Sequence, residues 1–582
     1  MRPLSPNARR VLEARYLERD ADGRLAEDWE GLCRRVAHGV AAAERVFAGD
    51  AERMEERFCE ALRERRFLPN SPTLMNAGTE LGQLAACFVL PVEDDLAAIF
   101  EAVKRMAVIH QTGGGTGFDF SRLRPAGDMV QRTHGVASGP VSFIAVFDAT
   151  TSVIKQGGRR RGANMGVLRV DHPDVLAFVR AKAQPDRLTN FNLSLTTPDA
   201  FWQAVEAGRS WDLVHPRDGK VVRSLDAREL LDEIALQAWA SGDPGVIFLD
   251  AVNRANPTPQ LGALEATNPC GELPLLANEA CNLGSLRLDA FAREGRVDWD
   301  ALDAAVDLAV RFLDDAIEVS RYPFPEIEAA VRGNRKIGLG VMGFADLLVD
   351  LGIPYDADEA VRFAERLMAR IRARADAASA ALAQERGDFP SWPGSLLAAA
   401  GRRARNATTT SIAPTGTLSI LADCAGGIEP FFALAFVRHV LDGARLAETN
   451  PRFEAALRRA GAWSEDLVAE VRHRGSAREV AAVPEAVRRL FPIASDLPPE
   501  RHLAIQQAFQ RHVDNAVSKT INLPASATAA DVREIYLSAW RRGLKGVTVF
   551  REGAKGAAVL VRGSELEAGP EQAAGCREDR CP

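Results

Sequence analysis

Long apolar runs are missing from this 582-residue chain, and none approaches the 18 or more residues that a bilayer-spanning helix needs. The start, MRPLSPNARRVLEARYL, is charged and lacks the apolar stretch of a secretory signal. A cytoplasmic protein with no membrane association is therefore expected. An excess of basic residues is missing too: 72 Lys plus Arg stand against 79 Asp plus Glu, for a formal charge of -7. That balance argues against DNA or another polyanion as partner. Cysteine is scarce, with eight residues in all. Eight thiols cannot staple so long a chain, and no C-x-x-C…C-x-x-C pattern marks a structural zinc, so no metal site is expected.

What is present is ordinary for a folded protein: 47% hydrophobic and 26% charged residues. The length suits about four domains, or one very large domain with appendages. Residues 1–70 read as a helical region, because VLEARYLERD and RVAHGVAAAERVF place apolar residues three and four apart between charges. From about residue 80, short apolar runs separated by glycine take over, among them ACFVLPV (86–92), MGVLRV (165–170), FNLSLTT (191–197) and GVIFL (245–249). FNLSLTT alternates as a half-buried strand should, whereas GVIFL is continuous, as a fully buried one should be. Helices such as DALDAAVDLAVRFLDDAIEVS lie between these runs. Strands and helices so interleaved over 71–555 argue for an α/β architecture. The end, 556–582, holds little to bury and reads as a mobile tail.

Four motifs stand out. Gly338-Leu339-Gly340-Val341-Met342-Gly343 fits G-x-G-x-x-G, but the charged AAVRGNRK before it is unlike the buried strand of a dinucleotide site. Helix packing against a close neighbour is expected there instead. TTTSIAPTGTLSILA (408–422) joins a β-branched run to a helix start, where hydroxyls and glycine N–H groups suit a phosphate as well as an ordinary cap. Ser71 and Thr73 in PNSPTLMNAG, and the run GGGTG (113–117), are softer signals of the same kind. The loop Gly157-Gly158-Arg159-Arg160-Arg161-Gly162 is cationic, suited to an anion or simply to solvent. The fourth is EATNPCGELPLLANEACNLGSL (265–286), where Cys270 lies two residues from both Asn268 and Glu272. No histidine lies nearby to act as base, so a reactive thiol here points away from acyl transfer. An inert loop cysteine is the competing reading.

Taken together, PNSPTLMNAG, ACFVLPVEDD, GGGTGFDFSRLRPAG, NPCGE with ACNLGS, IAPTGT, and SKTINLP followed by WRRGLKGVTVFREG resemble a ribonucleotide reductase of the adenosylcobalamin-dependent branch. The resemblance implies a ten-stranded α/β barrel of two five-stranded halves around a central finger loop. It implies that Cys270 carries a thiyl radical, that Glu272 takes a proton from the ribose 3′-hydroxyl, and that Asn268 hydrogen-bonds the substrate hydroxyls. Cys87 and Cys281 would be the dithiol oxidised as the 2′-hydroxyl leaves. Ser71, Ala86, Gly115, Pro269, Gly271, Pro414, Thr415, Gly416, Thr417 and Leu418 match positions that hold the ribonucleotide. The chemistry is consistent with three thiols: replacing C–OH by C–H takes two electrons from a dithiol, and the radical-bearing thiol must stay outside that pair. A loop buried inside the barrel would shield the radical.

A buried disulfide needs a carrier to a thioredoxin-like reductant, and Cys576 and Cys581 sit on the tail for that task. About 14 residues of flexible chain precede Cys576, with a typical span of about 20 Å and a limit of about 50 Å. Weak metal binding is the competing reading of a terminal cysteine pair. Cys33, Cys59 and Cys424 have no assigned role. The branch rests on absences: the tyrosines are Tyr16, Tyr322, Tyr355 and Tyr536, with no adjacent pair to relay a radical, and no glycyl-radical motif is found. The large subunit of a radical-subunit-dependent reductase and a non-catalytic nucleotide-binding regulator of the same fold are the alternatives. By the same resemblance, Asp94 and Arg124 would contact a deoxynucleotide effector at a homodimer interface, with Lys155 and Gln156 leading into the cationic loop.

Overall fold

The structure, a computed structural model, describes residues 3–130, 134–156, 160–184, 186–439, 445–554 and 560–561. Cys576 and Cys581, and most of the cationic loop, lie outside the described residues. Among the described residues, no helix is long and apolar enough to cross a membrane.

The N-terminal region opens with α1 (Pro6–Arg15), α2 (Trp29–Ala41) and α3 (Ala51–Arg63). Each start is capped by its preceding side chain: Ser5, Asp28 and Asp50 accept a backbone N–H from the first turn. A 3₁₀ turn, Ala42–Phe47, takes up the end of the run that the spacing predicts as one helix. A short helix, α4 (Ser71–Asn76), then leads into the barrel.

The first half of the barrel is β1 (Cys87–Leu90), β2 (Gly115–Asp119), β3 (Asn164–Arg169), β4 (Phe191–Thr197) and β5 (Gly245–Phe248), each parallel to the next. The second half is β6 (Glu279–Arg287), β7 (Ile337–Met342), the extended segment 408–412, the stretch running through Val517 into β8 (Thr520–Leu523), and β9 (Gly546–Arg551). These five are also mutually parallel, joined by the ladders β6–β7 and β8–β9 and by the bridges Leu339–Thr410 and Ile412–Val517. The halves meet antiparallel at β1–β6 and at β5–β9, which closes a ten-stranded barrel without a free edge. This is the barrel of two five-stranded halves that the resemblance implies.

Helices wrap the outside, chief among them α5 (Trp299–Val319) and α6 (Asp358–Arg386). A buried ionic network ties them to the N-terminal region. Arg386 reaches Glu44, Asp314 and Asp315, while Arg335 and Arg405 also pair with Asp314. Mutual pairing of so many buried charges is what makes their desolvation tolerable.

Two expectations about strands are corrected. FNLSLTT does form β4, but it is not half-buried: only Asn192 is exposed. One face packs on helices and the other looks into the barrel, so Ser194 and Thr196 are buried among protein atoms. GLGVMG is not a helix-packing element; Ile337–Met342 is itself a fully buried strand. Its glycines allow close approach of the neighbouring segment, since a Cβ on Gly340 would overlap the Ser411 carbonyl oxygen.

Candidate active site

The finger is built from residues 266–275. Ala266–Thr267 pairs antiparallel with Pro274–Leu275, and the turn between them carries Asn268, Pro269, Cys270, Gly271 and Glu272. The Gly271 N–H donates to the Asn268 carbonyl (3.1 Å), and the Asn268 side-chain oxygen accepts from Leu273 N (3.0 Å), so the asparagine folds the turn around itself. Barrel strands grip the finger from several sides. The Glu272 carbonyl accepts from Ala516 N (2.8 Å) and from Ser411 Oγ (2.9 Å). The Pro269 carbonyl accepts from Asn192 Nδ2 (2.8 Å), a contact that explains the one exposed residue of β4. The run GGGTG reaches the cavity wall at Gly114 and Gly115. It enters β2, where a Cβ on Gly117 would overlap the Thr267 carbonyl oxygen, so the glycine gives the finger room to lie across the strand.

The thiols converge. Cys87 on β1 and Cys281 on β6 are direct register partners across the antiparallel seam between the barrel halves. Directly opposed residues have Cα atoms about 4.5–5.5 Å apart, within the range a disulfide spans. Asn268 Nδ2 donates to Cys87 Sγ at 3.1 Å, which ties the finger to this pair. Cys281 Sγ lies 3.4 Å from the carbonyl oxygens of Asn282 and Lys336. Both thiols are buried, and burial pushes both well above the ordinary thiol range. The nearby charges of Glu272, Cys270 and the Cys281 thiol add to the rise at Cys87, against the Asn268 hydrogen bond. At Cys281 the Glu279 charge adds to it and the Lys336 charge opposes it. Each is therefore a protonated thiol at neutral pH.

These residues open on a cavity of about 280 Å³. Ser71, Ala86, Cys87, Gly115, Asn268, Pro269, Cys270, Glu272, Pro414, Thr415, Gly416, Thr417 and Leu418 all line it. Gly271 forms the turn behind Cys270, and Cys281 sits one strand behind Cys87; neither is part of the wall. Shielding of Cys270 is corrected: the finger is buried along its length except at the tip, where Cys270 is exposed. Glu272 beside it is only 2% exposed. The IAPTGT run does start a helix, α7 (Gly416–Ala422), but the Thr415 hydroxyl accepts from Gly427 N (2.8 Å) and braces its own loop.

Several wall residues escaped the sequence reading, two of them at the end of α1. Arg15 and Tyr16 come from the last turn of α1 and its cap, so the helical region contributes to the cavity. The periodicity of VLEARYLERD marks only an amphipathic helix, and nothing local distinguishes this tyrosine or arginine. Asn192 was likewise hidden within an apparent surface position. Asp94 and Arg124 lie outside the cavity and pair with each other, with Arg124 Nε 3.0 Å from both carboxylate oxygens. Lys155 and Gln156 pair in a short hairpin with Arg161 and Arg160, respectively. Of the thiols without assigned role, Cys33 is buried, and Cys59 and Cys424 are half-buried.

Comparison with known proteins agrees with this geometry. Residues 2–82 match the family described as "Ribonucleotide reductase, all-alpha domain", and residues 85–402 and 398–550 match "Ribonucleotide reductase, barrel domain". A "Vitamin B12-dependent ribonucleoside-diphosphate reductase" of Mycobacterium tuberculosis is 52% identical, covering 99% of this chain and 84% of the relative. A protein of the same description from Thermoplasma acidophilum is 44% identical, covering 98% and 82%. Among solved structures, the Actinobacillus ureae class Id ribonucleotide reductase alpha subunit superposes with a TM-score of 0.78 at 23% identity, covering 95% of this chain and 99% of that one, which speaks for the fold.

Proposed function

The chain belongs to the ribonucleotide reductase family, and from that premise we propose that it reduces ribonucleoside diphosphates to 2′-deoxyribonucleotides, with adenosylcobalamin as the source of the radical. The observation that carries the reading is the meeting of Cys87, Asn268 and Glu272 around one cavity, with Cys281 paired to Cys87 on the neighbouring strand and Cys270 at the exposed tip of the finger.

The residues present fit the cofactor. A radical source bound beside the finger would need an accessible hydrogen donor, and the exposed thiol of Cys270 at the tip offers one. Adenosylcobalamin, when bound, would supply the radical that takes the hydrogen of the Cys270 thiol. The rest falls to this chain. The Cys270 thiyl takes the 3′-hydrogen of the ribose and returns it at the end of the cycle. Glu272 accepts the 3′-hydroxyl proton, while Asn268 orients the hydroxyls. Cys87 and Cys281 give up two electrons and two protons: one disulfide forms, the 2′-oxygen leaves as water, and a C–H bond replaces C–OH. The reaction balances without a further reductant in that turnover. A protonated dithiol is the form this step requires, since it delivers protons as well as electrons.

Cys576 and Cys581 on the tail would then reduce the Cys87–Cys281 disulfide and pass the oxidation to a thioredoxin-like reductant of the cytoplasm. Asp94, Arg124, Lys155 and Gln156 are assigned to a deoxynucleotide effector site at a homodimer interface. The test is reconstitution: the purified chain, given adenosylcobalamin, a ribonucleoside diphosphate and a small dithiol, forms deoxynucleotide without a second subunit. Product only after addition of a radical-generating subunit would move the chain to the other branch. No product in either case would leave a nucleotide-binding regulator.

A further inference from the structure

Arg15 is the one cation, and Glu272 the one anion, among the described residues that line the cavity. They belong to different neighbourhoods. Glu272 stands on the finger with the thiols. Arg15 stands with hydroxyls: its Nη1 donates to Thr417 Oγ1 (3.3 Å), and the next residue, Tyr16, shares a 2.8 Å hydrogen bond with Ser71 Oγ. Among the described residues, no carboxylate pairs with Arg15, whereas many other arginines have one, Arg35, Arg124, Arg335 and Arg452 among them. Tyr16 is only 1% exposed, so the backbone that presents Arg15 is fixed.

The start of α1 is tied to the same segment. Asp423, the residue after α7, accepts from Ser5 N (3.4 Å) at the start of α1 and from the buried Arg65 Nη1 (2.7 Å). Arg65 Nη1 lies 3.3 Å from the Leu421 carbonyl as well. The helical region and the segment carrying Thr417 are thus held together at two levels, one structural and one facing the cavity.

A guanidinium with no carboxylate partner among the described residues, set amid three hydroxyls, is a site for an anion with several oxygens, since a planar fork of N–H donors matches phosphate oxygens. We propose that Arg15, with Thr417 and the Tyr16–Ser71 pair, binds the diphosphate of the substrate and sets the enzyme's preference for phosphorylated nucleosides. The inference rests on the reading of the cavity as a ribonucleotide site. It adds that the all-helical region supplies the full positive charge of that site.

The test is equilibrium binding by calorimetry, with three ligands: a ribonucleoside diphosphate, inorganic pyrophosphate and the corresponding nucleoside. Arg15→Gln should weaken the diphosphate and pyrophosphate by roughly tenfold or more, the scale of one lost charge-assisted hydrogen bond, and leave the nucleoside unchanged. Arg15→Lys should recover part of the loss. In turnover, the effect should fall on KM more than on kcat. A diphosphate Kd within about twofold of wild type in Arg15→Gln would overturn the proposal. So would an equal loss for the nucleoside, which would mark a disturbed cavity. A wild-type chain that binds diphosphate but fails to turn over with adenosylcobalamin counts against the proposed reaction, while the Kd comparison still decides Arg15. A wild type that binds no diphosphate overturns both.

Discussion

Cys87 and Cys281 sit directly opposite each other where the two antiparallel halves of the barrel join, and Asn268 of the finger donates a hydrogen bond to the first of them. The seam matters because only there can neighbouring strands from distant parts of the chain place two thiols side by side on fixed backbone. Oxidation of such a pair needs little movement, and the third thiol, on the finger, stays out of it.

One consequence concerns stoichiometry. A chain carrying Cys576→Ser and Cys581→Ser, given substrate and cofactor but no reductant, should make about one deoxynucleotide per cavity and stop, because one dithiol holds two electrons. Peptide mapping should then find a Cys87–Cys281 disulfide. With a small dithiol the same variant should keep turning over, whereas with a protein reductant it should stall. Equal loss with both reductants would refute the tail's role as carrier.

Reactivity of the thiols should divide in the same way. Alkylation requires thiolate and access. Burial holds the Cys87 and Cys281 thiols protonated, while Cys270 is exposed at the finger tip. Iodoacetamide near neutral pH should therefore label Cys270 at least about ten times faster than either partner. A bound ribonucleotide should slow the Cys270 reaction selectively. Comparable labelling of all three would contradict the arrangement.

Much of this was legible in the polypeptide because local chemistry and tertiary demand agree. GVIFL and MGVLRV are strands in any context that buries them, and the long amphipathic runs became α5 and α6. The residues of NPCGE were legible through resemblance, since spacing alone favours an inert loop cysteine. What stayed hidden depends on topology. FNLSLTT looks half-solvated because its polar face looks into the barrel, where Ser194 and Thr196 are buried and only Asn192, beside the finger, stays exposed. Gly340 of GLGVMG and Gly117 of GGGTG serve close backbone packing, a demand that no local pattern announces. Arg15 and Tyr16 reach the cavity across more than 400 residues of sequence to Thr417, and helical periodicity carries no trace of that meeting.

Replacing the two finger side chains should separate chemistry from scaffolding. The backbone carbonyl of residue 272 accepts from Ala516 N and Ser411 Oγ, and Glu272→Gln leaves both of these contacts in place. That variant should fold, bind nucleotide, and lose about 10²- to 10⁴-fold in kcat, the range expected for removal of a positioned base. Cys270→Ser should abolish turnover outright, since an alcohol does not take the place of the hydrogen-abstracting thiyl. Near-normal kcat in Glu272→Gln would remove the carboxylate from the mechanism.

Stability in mild acid should depend on His502. Its ring is fully buried on the helix Pro499–Gln510, with Nε2 3.1 Å from the Ala494 carbonyl, and burial together with the Lys519 charge pulls its pKa from 6.5 down to about 2. The native chain therefore keeps this histidine neutral, while the unfolded chain protonates it below pH 6.5. Unfolded chains bind the extra proton, so this contribution is fully present above pH 6.5 and is lost as the pH falls, at about 1.4 kcal/mol per pH unit. Carboxylates such as Asp119 and Asp346, both raised to about 6 by burial, act in the opposite sense but equally in wild type and variant. Urea unfolding of wild type and His502→Gln at neutral pH and at roughly pH 5.5 should show wild type losing about 1.4 kcal/mol more than the variant. Parallel losses would mean that the ring takes up its proton in the folded protein, against the burial that surrounds it.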